Sequence, residues 1–306
     1  MVRRFELTVL GCGAAAPTPY FLTTSQFVNI HDHLILIDCG EGCQLTLRKK
    51  RLKFQRIKFI LISHMHADHV LGLPGLLASM NLLGRKTAIE VYGPGELESF
   101  VRMVWHKTGT HIEFEVNFNI VDSEKPSELI KTDSYVITSF PTKHRIETTG
   151  FRIEELPGAW NLKPYAKKKF ALTFHEIIQL KKGEKVSRED GVEVDPKNWC
   201  NAPKPSRSYV FAADTAFTPK VVDASKGATL LYHEATFMLS EKDIAKKTMH
   251  STASDAGKVA KEAGVSKLMI GHFSNRYKDL SSLLEEAQGV FENTCLAVEG
   301  DLISIE

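Results

Sequence analysis

Ile57-Lys58-Phe59-Ile60-Leu61-Ile62 runs straight into Ser63-His64-Met65-His66-Ala67-Asp68-His69, and this junction decides how the chain reads. The first segment is a nearly continuous apolar run, the pattern of a buried strand. The second sets three imidazoles and one carboxylate within six residues at the strand's C-terminal end. His64 and His66, two apart in an extended segment, point the same way. Asp68 and His69 lie where the chain turns into Leu71–Leu83, a leucine-rich segment that reads as a helix, so they address a second point. Imidazole nitrogen mixed with carboxylate oxygen suits borderline cations such as zinc. Crowded imidazoles repel when protonated, and a bound metal keeps them neutral.

Outward from the junction the chain alternates strands and helices, which indicates an α/β layered domain. Phe5–Leu10, Gln26–Ile30, Leu34–Ile37 and Ala88–Tyr92 read as strands, the middle two as a hairpin around His31-Asp32-His33. Glu96–Trp105 reads as a helix. Further on, Tyr135–Phe140, Tyr209–Ala212, Thr229–Tyr232 and Lys267–Ile270 are short apolar strands, with Ser254–Ala263 helical between the last of them and its predecessor. Residues 154–206 differ: rich in proline and lysine, carrying Trp160 and Trp199, and without clear period, they read as an inserted arm in a single domain spanning 1–306.

Composition sets limits on function. The chain has 306 residues, 39 Lys plus Arg and 37 Asp plus Glu, a net +2 that excludes a generally basic coat or an acidic solvating tail. The charge is unevenly placed. Asn161–Arg188 holds eight basic and two acidic residues, +6, so the remainder sums to −4. The leucine-rich uncharged stretch Val70–Gly84 is too short and too interrupted to span a membrane. Arg3-Arg4, the apolar run after it and Val9-Leu10-Gly11-Cys12 imitate a secretory or lipoprotein signal, but Glu6 breaks the run. The five cysteines (Cys12, Cys39, Cys43, Cys200, Cys295) form no C-x-x-C pair and read as small buried thiols.

Four ligands from one loop do not complete two metal spheres, so His, Asp or Glu just after other strands matter. His144 follows Tyr135–Phe140, Asp214 follows Tyr209–Ala212, His233-Glu234 follows Thr229–Tyr232, and His272 follows Lys267–Ile270. Strand C-termini are where α/β proteins build sites, because rigid strands aim flexible loops. His250, in His250-Ser251-Thr252, sits where a helix opens, a place that suits an anion and a proton donor. His31, His33, His106, His111 and His175 have no such context and read as surface or hairpin residues.

These segments together resemble the metallo-β-lactamase superfamily and, more narrowly, the ribonuclease Z family of tRNA 3′-processing endonucleases, over essentially the whole chain. The resemblance rests on Leu10-Gly11-Cys12-Gly13-Ala14-Ala15-Ala16-Pro17-Thr18, Asp38-Cys39-Gly40-Glu41-Gly42, Ser63–Gly75, Lys143-His144-Arg145, Ala213-Asp214-Thr215, His233-Glu234-Ala235-Thr236-Phe237, His250-Ser251-Thr252-Ala253 and Gly271-His272-Phe273-Ser274-Asn275-Arg276-Tyr277. It implies a four-layer αβ/βα sandwich, with Phe5–Thr18 as a core strand and turn and not a removable signal. It implies two zinc ions, or manganese or iron in their place. One would be held by His64, His66 and His144, the other by Asp68, His69 and His272, with Asp214 bridging. Asp38 would be a structural residue under the site.

The chemistry implied is two-metal hydrolysis of a phosphodiester. Asp68 would orient the attacking hydroxide, His250 would protonate the leaving 3′-oxygen, and Glu234 would orient His250. The substrate would be precursor tRNA in the cytoplasm, the enzyme a homodimer with no membrane, and Lys163, Lys167, Lys168, Lys169, Lys181 and Lys182 of the arm would bind backbone phosphates. A small-molecule phosphodiesterase or other hydrolase of the superfamily, or a metal-bound RNA-binding protein with a dead site, are the alternatives. The chain departs from the family pattern at Ala67, where glycine is usual, at Pro17–Leu22, where a basic loop is usual, and at Lys167–Leu172, where the arm is usually rich in Gly and Pro.

Overall fold

The computed structural model describes residues 4–212 and 214–306. Arg3 of the signal-like N-terminus and Ala213 of Ala213-Asp214-Thr215 therefore lie outside the described residues.

The chain divides into two compact units. One comprises Met1–Ile130, Ile137–Ile153 and Ser208–Glu306, the other Lys131–Val136 and Glu154–Arg207. The larger unit is built on two seven-stranded sheets. In the first, the spatial order is Leu302–Ser304, Phe5–Gly11, Ser25–Ile30, His33–Ile37, Ile57–Leu61, Ile89–Gly93 and Val116–Ile120. In the second it is Thr294–Leu296, Lys267–Gly271, Leu230–Glu234, Ser208–Ala212, Thr149–Glu155, Tyr135–Pro141 and Ser127–Lys131. Both sheets are mixed, as an αβ/βα sandwich requires. Their inner faces meet: the Tyr209 hydroxyl donates to Gln26 Oε1, and Thr149 N donates to Ser63 O.

Phe5–Gly11 is an interior strand, paired antiparallel to both Leu302–Ser304 and Ser25–Ile30. The next two strands form a hairpin through His31 and Asp32, whose φ values of 51° and 65° are those of a type I′ turn. Ile57–Leu61 is buried at every position but Lys58. Beneath it, helix Leu73–Leu82 buries Leu73, Leu76, Leu77 and Met80, the i, i+3, i+4, i+7 stripe of a core-facing helix. Val101 and Trp105 of helix Leu97–Thr108 close the same core, and Trp105 Nε1 donates to Pro74 O at 3.2 Å.

The smaller unit contains residues 154–206, the stretch that reads as an inserted arm. They carry helices Ala166–Lys169, Phe174–Lys181 and Pro196–Trp199 and two small two-stranded sheets. They also have a core of their own: Leu172, Leu180, Val186, Val194 and Cys200, with Trp160, Phe170 and Trp199 packed against it. A capping box, Thr173 with Glu176, starts the longest of these helices. Among the described residues no helix is long and apolar enough to cross a membrane.

Candidate metal centre

The candidate ligands of the larger unit all follow strand ends. His64, His66, Asp68 and His69 follow Ile57–Leu61; His144 follows Tyr135–Pro141; Asp214 follows Ser208–Ala212; His272 follows Lys267–Gly271. His233 and Glu234 are placed differently, lying inside Leu230–Glu234 and not after it. Consecutive strand residues face opposite sides. His233 is accordingly buried away from the cluster, its Nδ1 against Glu234 O at 2.7 Å, while Glu234 faces the site.

The structure brings the seven metal-ligand candidates together. Donor atoms of His64, His66, His144 and Asp214 lie within 4.8 Å of one another, as do those of Asp68, His69 and His272. Asp214 divides its oxygens between the groups. Oδ2 stands 3.6 Å from His64 Nε2 and 3.8 Å from His144 Nε2, whereas Oδ1 stands 3.4 Å from His69 Nε2 and 3.3 Å from His272 Nε2. Asp68 Oδ2 faces the second group, 3.5 Å from His69 Nε2 and 3.3 Å from His272 Nε2.

Hydrogen bonds on the far side of each ring fix which nitrogen faces inward. His144 Nδ1 donates to Met249 O at 2.9 Å and His69 Nδ1 to Asp38 Oδ2 at 2.7 Å. The Ser63 hydroxyl gives its one proton to Asp38, so it accepts from His64 Nδ1 at 2.9 Å. The Thr236 hydroxyl gives its proton to Glu234 Oε2 and accepts from His272 Nδ1 at 2.8 Å. In the neutral rings each of these four histidines therefore turns a lone pair on Nε2 toward the cluster. Lone pairs so close repel without a cation between them. His69 Nε2 and Asp214 Oδ1 are buried and have no hydrogen-bond partner among the described residues. Orphaned donors of this kind fit a divalent cation.

The proton affinities agree with that fit. Burial and neighbouring rings hold His64 well below the usual imidazole range and lower His66, while burial lowers His144 against the pull of Asp214, so these three rings are neutral ligands. Burial would also depress His69, but Asp214, Asp68 and Asp38 around it outweigh that and raise it. Burial would raise Asp68, and His69 and His272 beside it hold it well below the carboxylate range instead. A cation at the second group thus replaces a proton.

His250 and Glu234 form a pair at the edge, where a His250 ring nitrogen lies within 4.8 Å of donor atoms of Asp214 and His272. His250 Nδ1 lies 2.8 Å from Glu234 Oε1, and its ring stands 4.8 Å from that of His144 and 5.4 Å from that of His272. Burial would lower His250, but Glu234 prevails and raises it to about 9. Glu234 is buried, which would raise it; His250 holds it down at about 2. In the metal-free protein the buried carboxylate therefore favours the charged form of the ring.

Several groups support the ligands from behind. Asp38 accepts from Ser63 N, Ser63 Oγ and His69 Nδ1, and adopts a left-handed backbone with φ 55°. Gly40 lets that loop pass under the site, because a Cβ there would lie 2.4 Å from Asp68 O. Ala15 N donates to Asp68 Oδ2 at 2.8 Å. The D-C-G-E-G pattern is the signal for the first two; a backbone amide leaves none.

The arm lysines divide. Lys167, Lys168, Lys181 and Lys182 are exposed. Lys163 Nζ donates to Asn198 O at 2.9 Å, and Lys169 Nζ sits 4.2 Å over the Trp199 ring, so both are committed within the unit.

Relatives share the chain's full length. The chain is 40% identical to Ribonuclease Z of Bacteroides fragilis (strain YCH46) over 304 residues, covering 99% of this chain and 100% of that one. The chain belongs to the ribonuclease Z family. The likeness to Ribonuclease Z of Porphyromonas gingivalis (strain W83) is 37% over 295 residues, 96% of this chain and 97% of that one. Among solved structures, human tRNase Z, short form, superposes with a TM-score of 0.71 at 27% identity, covering 98% of this chain and 99% of that one. The metallo-beta-lactamase fold protein YhfI from Bacillus subtilis, at 18% identity and a TM-score of 0.69, covers 98% of this chain and 99% of its own and shares the fold. The family model for Anti-Pycsar protein Apyc1 matches residues 5–155, the part that carries the histidine cluster. Ribonuclease Z membership accounts for the sandwich and for motifs beyond that cluster.

Proposed function

We propose that the chain is a metal-dependent endoribonuclease that removes the 3′ trailer from precursor tRNA, leaving a 3′-hydroxyl on the tRNA and a 5′-phosphate on the trailer. The observation that carries this is the shared carboxylate: Asp214 turns one oxygen to each of two donor groups whose histidines are held in the ligand tautomer. His64, His66 and His144 would hold one cation, Asp68, His69 and His272 the other, both zinc, with manganese or iron able to substitute.

Divalent cations there supply Lewis-acid polarisation of the phosphodiester and offset charge on the attacking and leaving oxygens. The remaining steps belong to the chain. Asp68, fastened by Ala15 N, orients the attacking water and accepts its proton. His250, its Nδ1 held by Glu234, gives its Nε2 proton to the leaving 3′-oxygen. Glu234 holds that ring in place and, through Thr236, the ring of His272 as well. Lys167, Lys168, Lys181 and Lys182 contact backbone phosphates of the tRNA, a partner larger than any small ester needs. The working form is a cytoplasmic homodimer.

Incubating the purified protein with a 3′-extended precursor tRNA, with and without chelator, and mapping the cut tests the reading. The expected result is a single metal-dependent cut at the 3′ end of the acceptor stem. Hydrolysis of a small chromogenic phosphodiester with no cut in the precursor overturns it in favour of a small-molecule phosphodiesterase.

A further inference from the structure

The arm is not the densest run of positive charge in the chain. Arg48–Lys58 holds seven basic residues and no acidic one, and all seven are exposed. Arg48 lies 5.6 Å over the Phe54 ring and Lys58 5.1 Å over that of Phe59, but none of the seven forms an ion pair among the described residues. Like charges gathered this closely repel until an anion joins them. The run covers the end of helix Cys43–Lys49 and the loop into Ile57–Leu61, and part of it walls a cavity of about 240 Å³. Arg4, Arg51, Lys53 and Arg56 line that cavity, against two carboxylates, Glu6 and Asp32. Its floor is one face of the first sheet: Phe27 and Asn29 lie two apart on one strand, with Leu34 opposite Asn29 on the next. Phe27 and Leu34 share a core with Leu47 and Phe54, so the floor is fixed.

The cavity lies away from the metal centre. Leu34 pairs with Ile57 at one end of two parallel strands, and the metal ligands follow Leu61 at the other. Seven nearly extended residues from Ile57 to His64 span roughly 20 Å at ~3.3 Å each. We propose that this surface binds the unpaired 3′ trailer of the precursor, the basic run holding backbone phosphates and the cavity holding one base. This rests on the endonuclease reading, which supplies a polyanion anchored at the metal centre. Two features select an unpaired strand over a helix. A volume of about 240 Å³ is below the ~300–1,000 Å³ of drug-sized sites and suits a single ring system. An apolar floor receives a base only when that base is splayed out of its stack, with cations beside it for the phosphates. The trailer is the part of the precursor that starts at the cleaved bond and needs no pairing partner.

The test compares wild type with the triple variant Arg51→Ala, Lys53→Ala, Arg56→Ala on two precursors, one with a single-nucleotide trailer and one with a trailer long enough to cover that span. Binding is measured against salt, and the melting midpoint of the variant checks its folding. The variant should bind the long-trailer precursor about tenfold more weakly near physiological salt, and its slope of log affinity against log salt should be shallower by ~0.7 for each phosphate released from a single strand. The short-trailer precursor should bind both proteins alike. In wild type, a thiouridine placed in the long trailer should photocrosslink to 27–34 or 48–58, a readout that needs no variant. Unchanged affinity and slope on the long trailer overturn the assignment, as do crosslinks that fall elsewhere. Equal losses on both precursors also overturn it and place the contact on the tRNA body. In each of these cases the endonuclease reading stands as long as wild type cuts both precursors. A wild type that hydrolyses a small phosphodiester and cuts neither precursor overturns both.

Discussion

The metal centre and the arm handle charge in opposite ways. In the centre, His64, His69 and Glu234 are wholly buried. The outward ring nitrogens of His64, His69, His272 and His144 are held by a serine, an aspartate, a threonine and a backbone carbonyl in turn. In the arm, four lysines stand in solvent with no partner among the described residues. The first is preorganisation: position is fixed before a ligand arrives, and a displaced atom is costly. The second is an electrostatic surface that tolerates many geometries and weakens with salt. Single substitutions should therefore be severe and salt-independent in the centre, graded and salt-dependent in the arm.

Asp214→Ala is the strongest test of that contrast. It removes the carboxylate that faces both donor groups, so metal content per chain should fall and cleavage should drop on the order of a thousandfold or more. Elemental analysis of the purified variant, beside its rate, checks both. A variant that retains full metal and cleaves like wild type would refute the shared-carboxylate reading. Asp68→Ala should be comparably damaging to rate.

Glu234→Gln comes next, at about a hundredfold in rate. It also carries a sign. The His250 pKa is raised to about 9 by Glu234 against the opposing effect of burial, so the imidazolium is present below that pH and lost as pH rises through it. Removing the carboxylate leaves burial and Arg145, which lower it, opposed by the weaker pull of Asp214. In the metal-free protein an NMR titration of His250 should move from near 9 in wild type to well below that value in the variant. The basic limb of the activity profile should move the same way. A limb that stays fixed would mean His250 is not the proton donor.

Asp38→Asn weakens the centre from one layer out. An amide can accept from His69 or from Ser63 but cannot replace a carboxylate that takes three donors. Metal affinity, measured by chelator competition, should fall about 10- to 100-fold.

This residue also marks where sequence stops being informative. Ligand types survive as letters: imidazoles and carboxylates just past apolar strands can be picked out, and the resemblance orders them into two groups. What orients them is spread over the chain. Asp38 and His69 are 31 residues apart, His144 is fixed by a backbone carbonyl 105 residues away, and Asp68 by the amide of Ala15. A carbonyl or an amide has no identity in sequence. Two strands are hard to read for a related reason. Val116–Ile120 and Ser127–Lys131 are half-buried and rich in polar residues, so they lack the apolar run that betrays Ile57–Leu61. The arm's helices are too short for their period to stand out, and their core is assembled from single apolar residues far apart in the chain.

In the arm, replacing Lys167, Lys168, Lys181 and Lys182 together by alanine should cost roughly tenfold in precursor affinity near physiological salt. The salt slope should become shallower by ~0.7–0.9 for each phosphate left without its lysine. Small-ester hydrolysis, which depends on the centre, should not follow. A fall in affinity with an unchanged salt slope would mean that these lysines are solvated and do not meet phosphates.

The smallest effect separates two neighbouring lysines. Lys168 is exposed, whereas the ammonium of Lys169 lies over the Trp199 ring, with Phe170 edge-on to the same indole at 4.7 Å between ring centroids. A cation–π interaction at such a site contributes ~0.5–1 kcal/mol. Lys169→Ala should therefore loosen the arm's own core, and hydrogen exchange at Leu172 and Leu180 should accelerate by a few-fold, the factor that energy implies. Lys168→Ala should leave that exchange as it is and shift the salt slope instead. If the two variants prove interchangeable, with equal slopes and equal exchange, then the arm does not divide its lysines between structure and substrate. Its net charge alone would then set its affinity, and the contrast with the metal centre would be sharper still.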